Sequence, residues 1–561
     1  MMWALASLLL AGHVRAAIPN AMLRGMPSLP KLPVPDRFIT SPNGTVLPPI
    51  TTVYYFDQLI DHNNPDLGTF QQRYWMGWEF YEPGGPIILT TPGEGPGDGS
   101  EALTTNETIN GLIAQQQNGA VIDIEHRFFG YSNPYDNLTS QSLALLTIQQ
   151  AIDDLEYFAN TADLPMPGGD AVKPGQAPWI LTGGSYAGAL TGWTMVNKPG
   201  LFWAAYASSG VVEAITDYYE YFTPVREYMP QNCSSDVEAV IAHLDELYIA
   251  NDTAGIQTLK EAFGLGDVVH VDDFATAKQT AWLACLSVVY IAPARTVPPF
   301  LFSTFFFLTS SAAFLTRLTL LGPTVQNNLF EWQNLQPAIG PGAMFFQFCD
   351  ALEVKDGVSA GPEGWGLEHA IYSWGNFWNT TYYKYICESV DAETCFGTYN
   401  TSQPYWTNVT VNNSGRSWFW MVCNQVGWYQ VGPPEGQPAI VSRILQPIYN
   451  ERLCVNMFPQ AFAYPPQPTT TQTDTMYAGW NVNVPRLFFA NGLRDPWRES
   501  TVSADGLNKP NTTSMPIYQG DGFHCSDMLA KNGIVDPTVA AVQEAGLRYM
   551  KEWLAEWRPS T

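Results

Sequence analysis

Short apolar runs that end in small or polar turns recur along the chain. They are Pro86-Ile-Ile-Leu-Thr90, Ala120-Val-Ile-Asp-Ile124, Pro178-Trp-Ile-Leu-Thr182 and Arg486-Leu-Phe-Phe-Ala490. Runs of this length with no polar alternation predict strands buried on both faces, as in a parallel sheet. Between and after them lie stretches with apolar residues at helical spacing, 143–157 and 535–557. Strands alternating with helices predict an α/β fold with a mostly parallel sheet and helical crossovers. From Val212 to Gln437 the strand pattern fades while Trp, Tyr and Cys become dense. This segment is expected to be a mainly helical, disulfide-containing insertion over the sheet.

Both ends of the pattern carry further information. Met1 to Gly12 is an apolar run followed by Val14-Arg15-Ala16-Ala17, a small-residue cleavage pattern, so 1–17 is expected to be a signal peptide. The Pro-rich stretch that follows, 18–51, has no helical period and is expected to be a leader or pro-segment. The remaining chain divides into a first sheet portion, 52–211, the insertion, 212–437, and a second sheet portion, 438–561. Ten Asn-x-Ser/Thr acceptors are present, at Asn43, Asn106, Asn137, Asn232, Asn251, Asn379, Asn400, Asn408, Asn412 and Asn511. Chance would place roughly four, so export through a glycosylating pathway is expected, to the outside or to a vacuolar or lysosomal lumen.

Composition narrows the function classes. Lys and Arg total 26 against 52 Asp and Glu, and charged residues make up 14% of the chain. Nucleic acid is excluded as a partner, because neutralising phosphates needs clustered cations. The eight cysteines show no CxxC pair and no His-rich spacing. No zinc site and no cofactor are therefore expected, and most of the cysteines should be disulfides in an exported protein. Cys387 and Cys395 are near enough in sequence to close a small loop.

One tract breaks the composition around it. Phe274 to Phe330 contains no Asp or Glu, and within it Thr296 to Thr316 is uncharged between Arg295 and Arg317. The length admits a membrane span. Pro298, Pro299 and the sequons on either side weigh against one, leaving a buried hydrophobic hairpin or a translated intron over about 276–326. The intron reading fits the composition best.

Candidate chemistry starts at the third apolar run. Trp179-Ile-Leu-Thr-Gly-Gly-Ser185-Tyr-Ala-Gly188 places a serine among small residues between a strand and a helix-compatible segment. A nucleophile elbow needs that arrangement, although the usual G-x-S-x-G has Ala187 in its last position here. Asp495 follows the strand at Arg486 to Ala490, and His524 lies 29 residues further on, the last of seven histidines. Serine, acid and histidine in that order, the first two each after an apolar strand run, predict an α/β-hydrolase fold whose sheet is interrupted by the insertion.

At these residues the chain resembles the serine peptidases that comprise lysosomal Pro-X carboxypeptidase, dipeptidyl peptidase II and the fungal acid prolyl endopeptidases, the last most closely. The resemblance runs from about Thr52 to Trp557. It is carried by Phe70-Gln-Gln-Arg-Tyr74, Thr91-Pro-Gly-Glu94, Glu125-His-Arg-Phe-Phe-Gly130, Gly183 to Gly188, Phe346-Gln-Phe-Cys-Asp350, Asn491 to Trp497 and Gly522 to Ser526. The tract 276–326 has no counterpart in that pattern.

The resemblance implies a proline-specific serine peptidase acting on proline-rich peptides or proteins in acid. Ser185 would be the nucleophile, His524 the base and Asp495 its orienting acid. The N–H of Tyr186 and the Gly93-Glu94 turn are expected to face the oxyanion, and a Glu125–Arg127 pair to support the site. Trp497, Trp374, Trp378, Trp418 and Trp420 are the candidates to pack on a proline ring. Asp350 is a candidate to capture a substrate amine. Endopeptidase, carboxypeptidase and dipeptidyl-peptidase modes stay open, as does a homodimer. An esterase or lipase would use the same three residues, and a non-enzymatic relative would be expected to lack one of them.

Overall fold

The computed structural model describes residues 39–279, 329–383, 387 and 390–559. The expected signal peptide, most of the leader and nearly all of the 276–326 tract lie outside the described residues. Eight strands form one sheet: β1 (Tyr54–Leu59), β2 (Thr69–Gly77), β3 (Ile87–Thr90), β4 (Ala120–Ile124), β5 (Trp179–Gly184), β6 (Ala204–Ser208), β7 (Leu487–Gly492) and β8 (Ile517–Gly520). Their order is β1-β2-β4-β3-β5-β6-β7-β8. β2 runs antiparallel to β1 and β4, and the remaining neighbours are parallel. This is the α/β-hydrolase fold.

The apolar runs become strands because both of their faces are covered. Ile87, Leu89 and Leu181 belong to a core shared with α2 (Ile148–Thr161) and α3 (Tyr186–Asn197). Ile88, Val121 and Ile180 point the other way, toward α1 (Ile109–Gln117) and the C-terminal helix, Pro537–Glu556. Alternate residues of a strand face opposite sides, so a continuous apolar run is what a two-sided core requires. β1, at the edge, alternates in burial instead.

After β6 the chain leaves the sheet and returns only at β7. This excursion carries α4 (Gln231–Ile249), α5 (Thr253–Ala262), α6 (Met344–Glu353) and α7 (Leu367–Phe377). Three disulfides tie it, Cys233–Cys349, Cys387–Cys395 and Cys423–Cys454. The last bond crosses the boundary drawn at residue 437, so the inserted unit continues to the start of β7. Loop closure of this kind contributes about 2–5 kcal/mol per bond in exported domains. Among the described residues Cys525 alone is unpaired, and it is buried.

The end of the stretch expected to be a leader packs on the body. Ile39 and Ile50 are buried, and with Leu47 and Pro48 they line a small crevice against Met76 and Trp78 of the β2 region. Among the described residues no helix is long and apolar enough to cross a membrane.

Candidate active site

The C-terminal ends of β5, β7 and β8 lie along one sheet edge, and each is followed within a few residues by a polar side chain from a distant part of the sequence. Ser185 succeeds β5 directly and has φ 62° and ψ −127°. An L-residue seldom adopts this conformation, which persists only where surrounding packing imposes it. Here the constraint is the crossing of strand into helix. A Cβ on Gly183 would lie 2.2 Å from the Ala187 carbonyl oxygen, and one on Gly188 would lie 2.7 Å from that of Ser208. The small residues around Ser185 thus allow α3 to start immediately against β5 and β6.

Ser185 Oγ is 2.8 Å from His524 Nε2, and His524 Nδ1 is 2.9 Å from Asp495 Oδ1. The same carboxylate oxygen accepts the Trp497 N–H at 2.8 Å. All three side chains are buried. Burial opposes the charged form of His524, but the facing Asp495 carboxylate outweighs it and holds the imidazole pKa well above its ordinary value. A hydroxyl bonded to an imidazole that is itself oriented by a buried carboxylate can pass its proton to that imidazole on attacking an acyl carbon.

Tyr186 opens α3, where no preceding turn supplies a carbonyl to its N–H. Its phenol donates to His126 Nε2 over 2.9 Å, because His126 Nδ1 already donates to the Arg127 carbonyl at 2.8 Å. Burial pushes the His126 pKa down to about 4, which keeps it neutral for this role. Gly93 stands against Ala187, with φ 76°, and its N–H reaches Thr91 Oγ1 at 3.3 Å. Glu94 is buried beside His524, and desolvation raises its pKa to about 8.

The expected Glu125–Arg127 pair does not form. Glu125 bonds Arg73, at 2.9 Å from Nε and 2.5 Å from Nη2, together with the N–H groups of Gly97 and Ser132. Arg127 turns to Asp154 of α2, with Nε 2.7 Å from Oδ2, and to the Leu59 and Ile60 carbonyls at the end of β1. Beyond Ile124 the chain is no longer a strand, so the alternation that would set Glu125 and Arg127 on one face does not hold and the two side chains diverge.

The tryptophans separate into two groups. Trp418 lies 5.5 Å from the Tyr186 ring and 5.8 Å from Trp428, which lies 5.7 Å from Trp497, itself 6.2 Å from His524. These rings form a continuous aromatic belt that runs from Tyr186, beside Ser185, to His524. Trp374 packs on Phe263 and Phe348, Trp378 on Tyr382 and Phe396, and Trp420 on Phe458 and Phe462, all within the insertion. Asp350 is exposed on α6. His126 falls within the motif Glu125 to Gly130 but its partner Tyr186 is not legible from it, and no motif spacing distinguishes Trp428, Tyr218 and Tyr221, the last two also against Trp497, from core aromatics.

The model of the family described as serine carboxypeptidase S28 matches residues 58–289 and 363–544. The chain belongs to the serine carboxypeptidase S28 family. The unmatched interval contains most of the 276–326 tract. Among relatives of this S28 chain, the serine protease vicPa of Bipolaris victoriae (strain FI3) is 32% identical over 523 residues, 90% of this chain and 88% of that one. A probable extracellular serine carboxypeptidase of Arthroderma benhamiae is 28% identical over 521 residues, covering 86% of this chain and 64% of its own. The human thymus-specific serine protease is 24% identical over 535 residues, covering 91% and 88%. The S28 chain is accordingly a serine peptidase.

Proposed function

We propose that this protein is an exported peptidase that hydrolyses peptide bonds on the carboxyl side of proline through an acyl-enzyme on Ser185. The observation that carries the reading is the continuous hydrogen-bond chain from Ser185 through His524 to Asp495 at a strained strand-to-helix turn. Ser185 Oγ attacks the acyl carbon while His524 Nε2 takes its proton. The imidazolium then gives that proton to the departing amine, and water repeats the sequence to release the acid. The developing oxyanion lies toward the N–H of Tyr186 and the turn at Gly93 and Glu94.

The aromatic belt supports a proline ring in the first specificity pocket. A prolyl ring is compact, apolar and flat enough to pack on Trp418, Trp428 or Trp497, and an acylated proline nitrogen has no hydrogen to satisfy there. With internally quenched peptides, kcat/KM for cleavage after Pro is expected to exceed that after Ala by about tenfold or more. Equal rates would sink the proline assignment. Peptides with proline in the interior, and peptides ending in Pro-X, separate the endopeptidase and carboxypeptidase modes.

Acid has opposite effects on fold and chemistry. Burial raises Glu94 to about 8, Asp474 to about 7, and Asp273 and Asp527 to about 6. These groups bind protons more tightly when folded, so their contribution to stability is full below the ordinary carboxylate range and is lost as pH climbs from about 4 to 8. His524 works as a base only when neutral, and Asp495 favours its charged form. We expect the melting temperature to be higher at pH 4 than at pH 8, while kcat/KM falls with a single-proton slope on the acid side. A melting temperature that rises from pH 4 to pH 8 contradicts the first half.

Export is supported by surface placement of the glycan acceptors. Asn43, Asn251, Asn400, Asn408, Asn412 and Asn511 are exposed, and Asn106, Asn137, Asn232 and Asn379 are partly so. Protein secreted from a glycosylating host should step down in mass on treatment with an N-glycan amidase; an unchanged mass contradicts glycosylation.

A further inference from the structure

His524 is held by more than its triad partners. It sits on a turn whose next residue, Cys525, has φ 51°. From the sheet side, Ser209 Oγ accepts the Cys525 N–H at 3.0 Å, and Ser526 Oγ accepts the Phe523 N–H at 2.9 Å. From the other side comes a short segment of the insertion, starting with the 3₁₀ turn Phe330–Asn334. Gln336 Nε2 donates to the backbone carbonyl of His524 at 2.9 Å. Gln336 Oε1 accepts from Asn532 Nδ2 at 2.7 Å, and the same amide donates to the Ser526 carbonyl at 2.9 Å. Gln336, Asn532, His524 and Ser526 are all buried.

The same segment also grips the loop that carries the acid. Trp332 Nε1 donates to the Arg494 carbonyl at 2.6 Å, and its ring stands edge-on to Phe523 at 5.2 Å. Gln333 Oε1 accepts from Trp497 Nε1 at 3.0 Å and from the Tyr221 hydroxyl at 3.1 Å. Its downstream end leads into α6, which the Cys233–Cys349 disulfide fastens to α4. Three side chains within five residues therefore reach both loops that must stay in register with Ser185.

We propose that Gln336 is a positioning residue for His524, through which the inserted unit holds the imidazole in line with Ser185. The inference rests on the reading of Ser185, His524 and Asp495 given above. Its physical basis is that the main chain of a catalytic histidine, left without a partner on one side, shifts the imidazole by fractions of an ångström. A misplacement of about 1 Å costs about a hundredfold in rate. A glutamine suits the task because one terminal group donates to a carbonyl while the other accepts from an amide. Methionine matches its length and offers neither.

The test uses the full-length protein and the rate at which a fluorophosphonate labels Ser185, with Ser185→Ala as the blank. Gln336→Met is expected to slow labelling about tenfold or more while far-UV circular dichroism stays as in wild type. Gln336→Glu is the sharper probe. Only its protonated carboxyl can donate to the His524 carbonyl, so its labelling rate relative to wild type should be within about threefold at pH 4 and fall below about a tenth by pH 8. Labelling of Gln336→Met within about twofold of wild type, or a Gln336→Glu ratio that does not change with pH, overturns the proposal. If Gln336→Met does not fold, the pH dependence of Gln336→Glu decides alone. Equal labelling of wild type and Ser185→Ala would instead overturn the reading of Ser185, and this inference with it.

Discussion

Ser185→Ala is expected to lower kcat by about 10⁶-fold while leaving the protein folded, the order of effect seen when a triad serine is removed. The fold should survive because alanine fits wherever serine does and faces the same backbone cost at φ 62°. That conformation is imposed by the approach of α3 to β5 and β6 and not by the hydroxyl, whose hydrogen-bond partner is His524 Nε2. Circular dichroism and melting should match wild type to within a few degrees. Peptide hydrolysis and covalent labelling should both disappear. A variant that keeps more than about a hundredth of the wild-type kcat would remove Ser185 from the mechanism.

Replacing the acid should give a graded result that depends on a detail of this site. Asp495→Ala is expected to cost about 10⁴-fold in kcat, since nothing then orients the imidazole. Asp495→Asn should cost less, about 10² to 10³-fold. The Trp497 N–H and His524 Nδ1 both converge on one oxygen, Asp495 Oδ1. An asparagine can place its amide oxygen there and keep both bonds, so the imidazole tautomer is preserved and only the charge is lost. Loss of the charge removes what raises the His524 pKa, and burial then lowers it. The acid limb of kcat/KM should therefore move to lower pH in Asp495→Asn, by the sign of the change alone. A full 10⁴-fold loss with an unmoved limb would mean that the amide flips and the tautomer is wrong.

Recognition of the sheet was straightforward where strands are buried on both faces. The runs at Ile87, Ala120, Trp179 and Leu487 all became strands, because apolar runs of that length have few other stable environments. The pattern does not single out the edge strands β1 and β8 or the internal β2 and β6, since amphipathic, small-residue or very short segments look like loops without their partners. The packing of the end of the expected leader, 18–51, is not legible in its sequence. Its Pro-rich composition lacks period, yet Ile39 and Ile50 find a groove that only the folded body supplies.

In the site the division is sharper. Ser185, Asp495 and His524 were legible because chain order, small flanking residues and strand-then-turn context are local or directional properties. Glu125 and Arg127 were legible as a charged pair of positions but not as partners. Their ions, Arg73 and Asp154, lie 52 and 27 residues away, and which carboxylate an arginine meets depends on how those distant elements pack around the end of β4. The aromatic belt behaved in the same way: Trp418 and Trp497 line it, and Trp374, Trp378 and Trp420 fill the insertion.

By itself the sequence determined the fold class, the order of the catalytic candidates, an acidic composition and a family likeness. Each depends on composition, periodicity or spacing along one dimension. Only the tertiary structure decided that Ser185, His524 and Asp495 form one hydrogen-bond chain, that Arg73 and not Arg127 meets Glu125, and that Gln336 reaches the His524 carbonyl from 188 residues away. A hydrogen bond needs donor and acceptor within about 3 Å, and sequence separation carries almost no information at that scale.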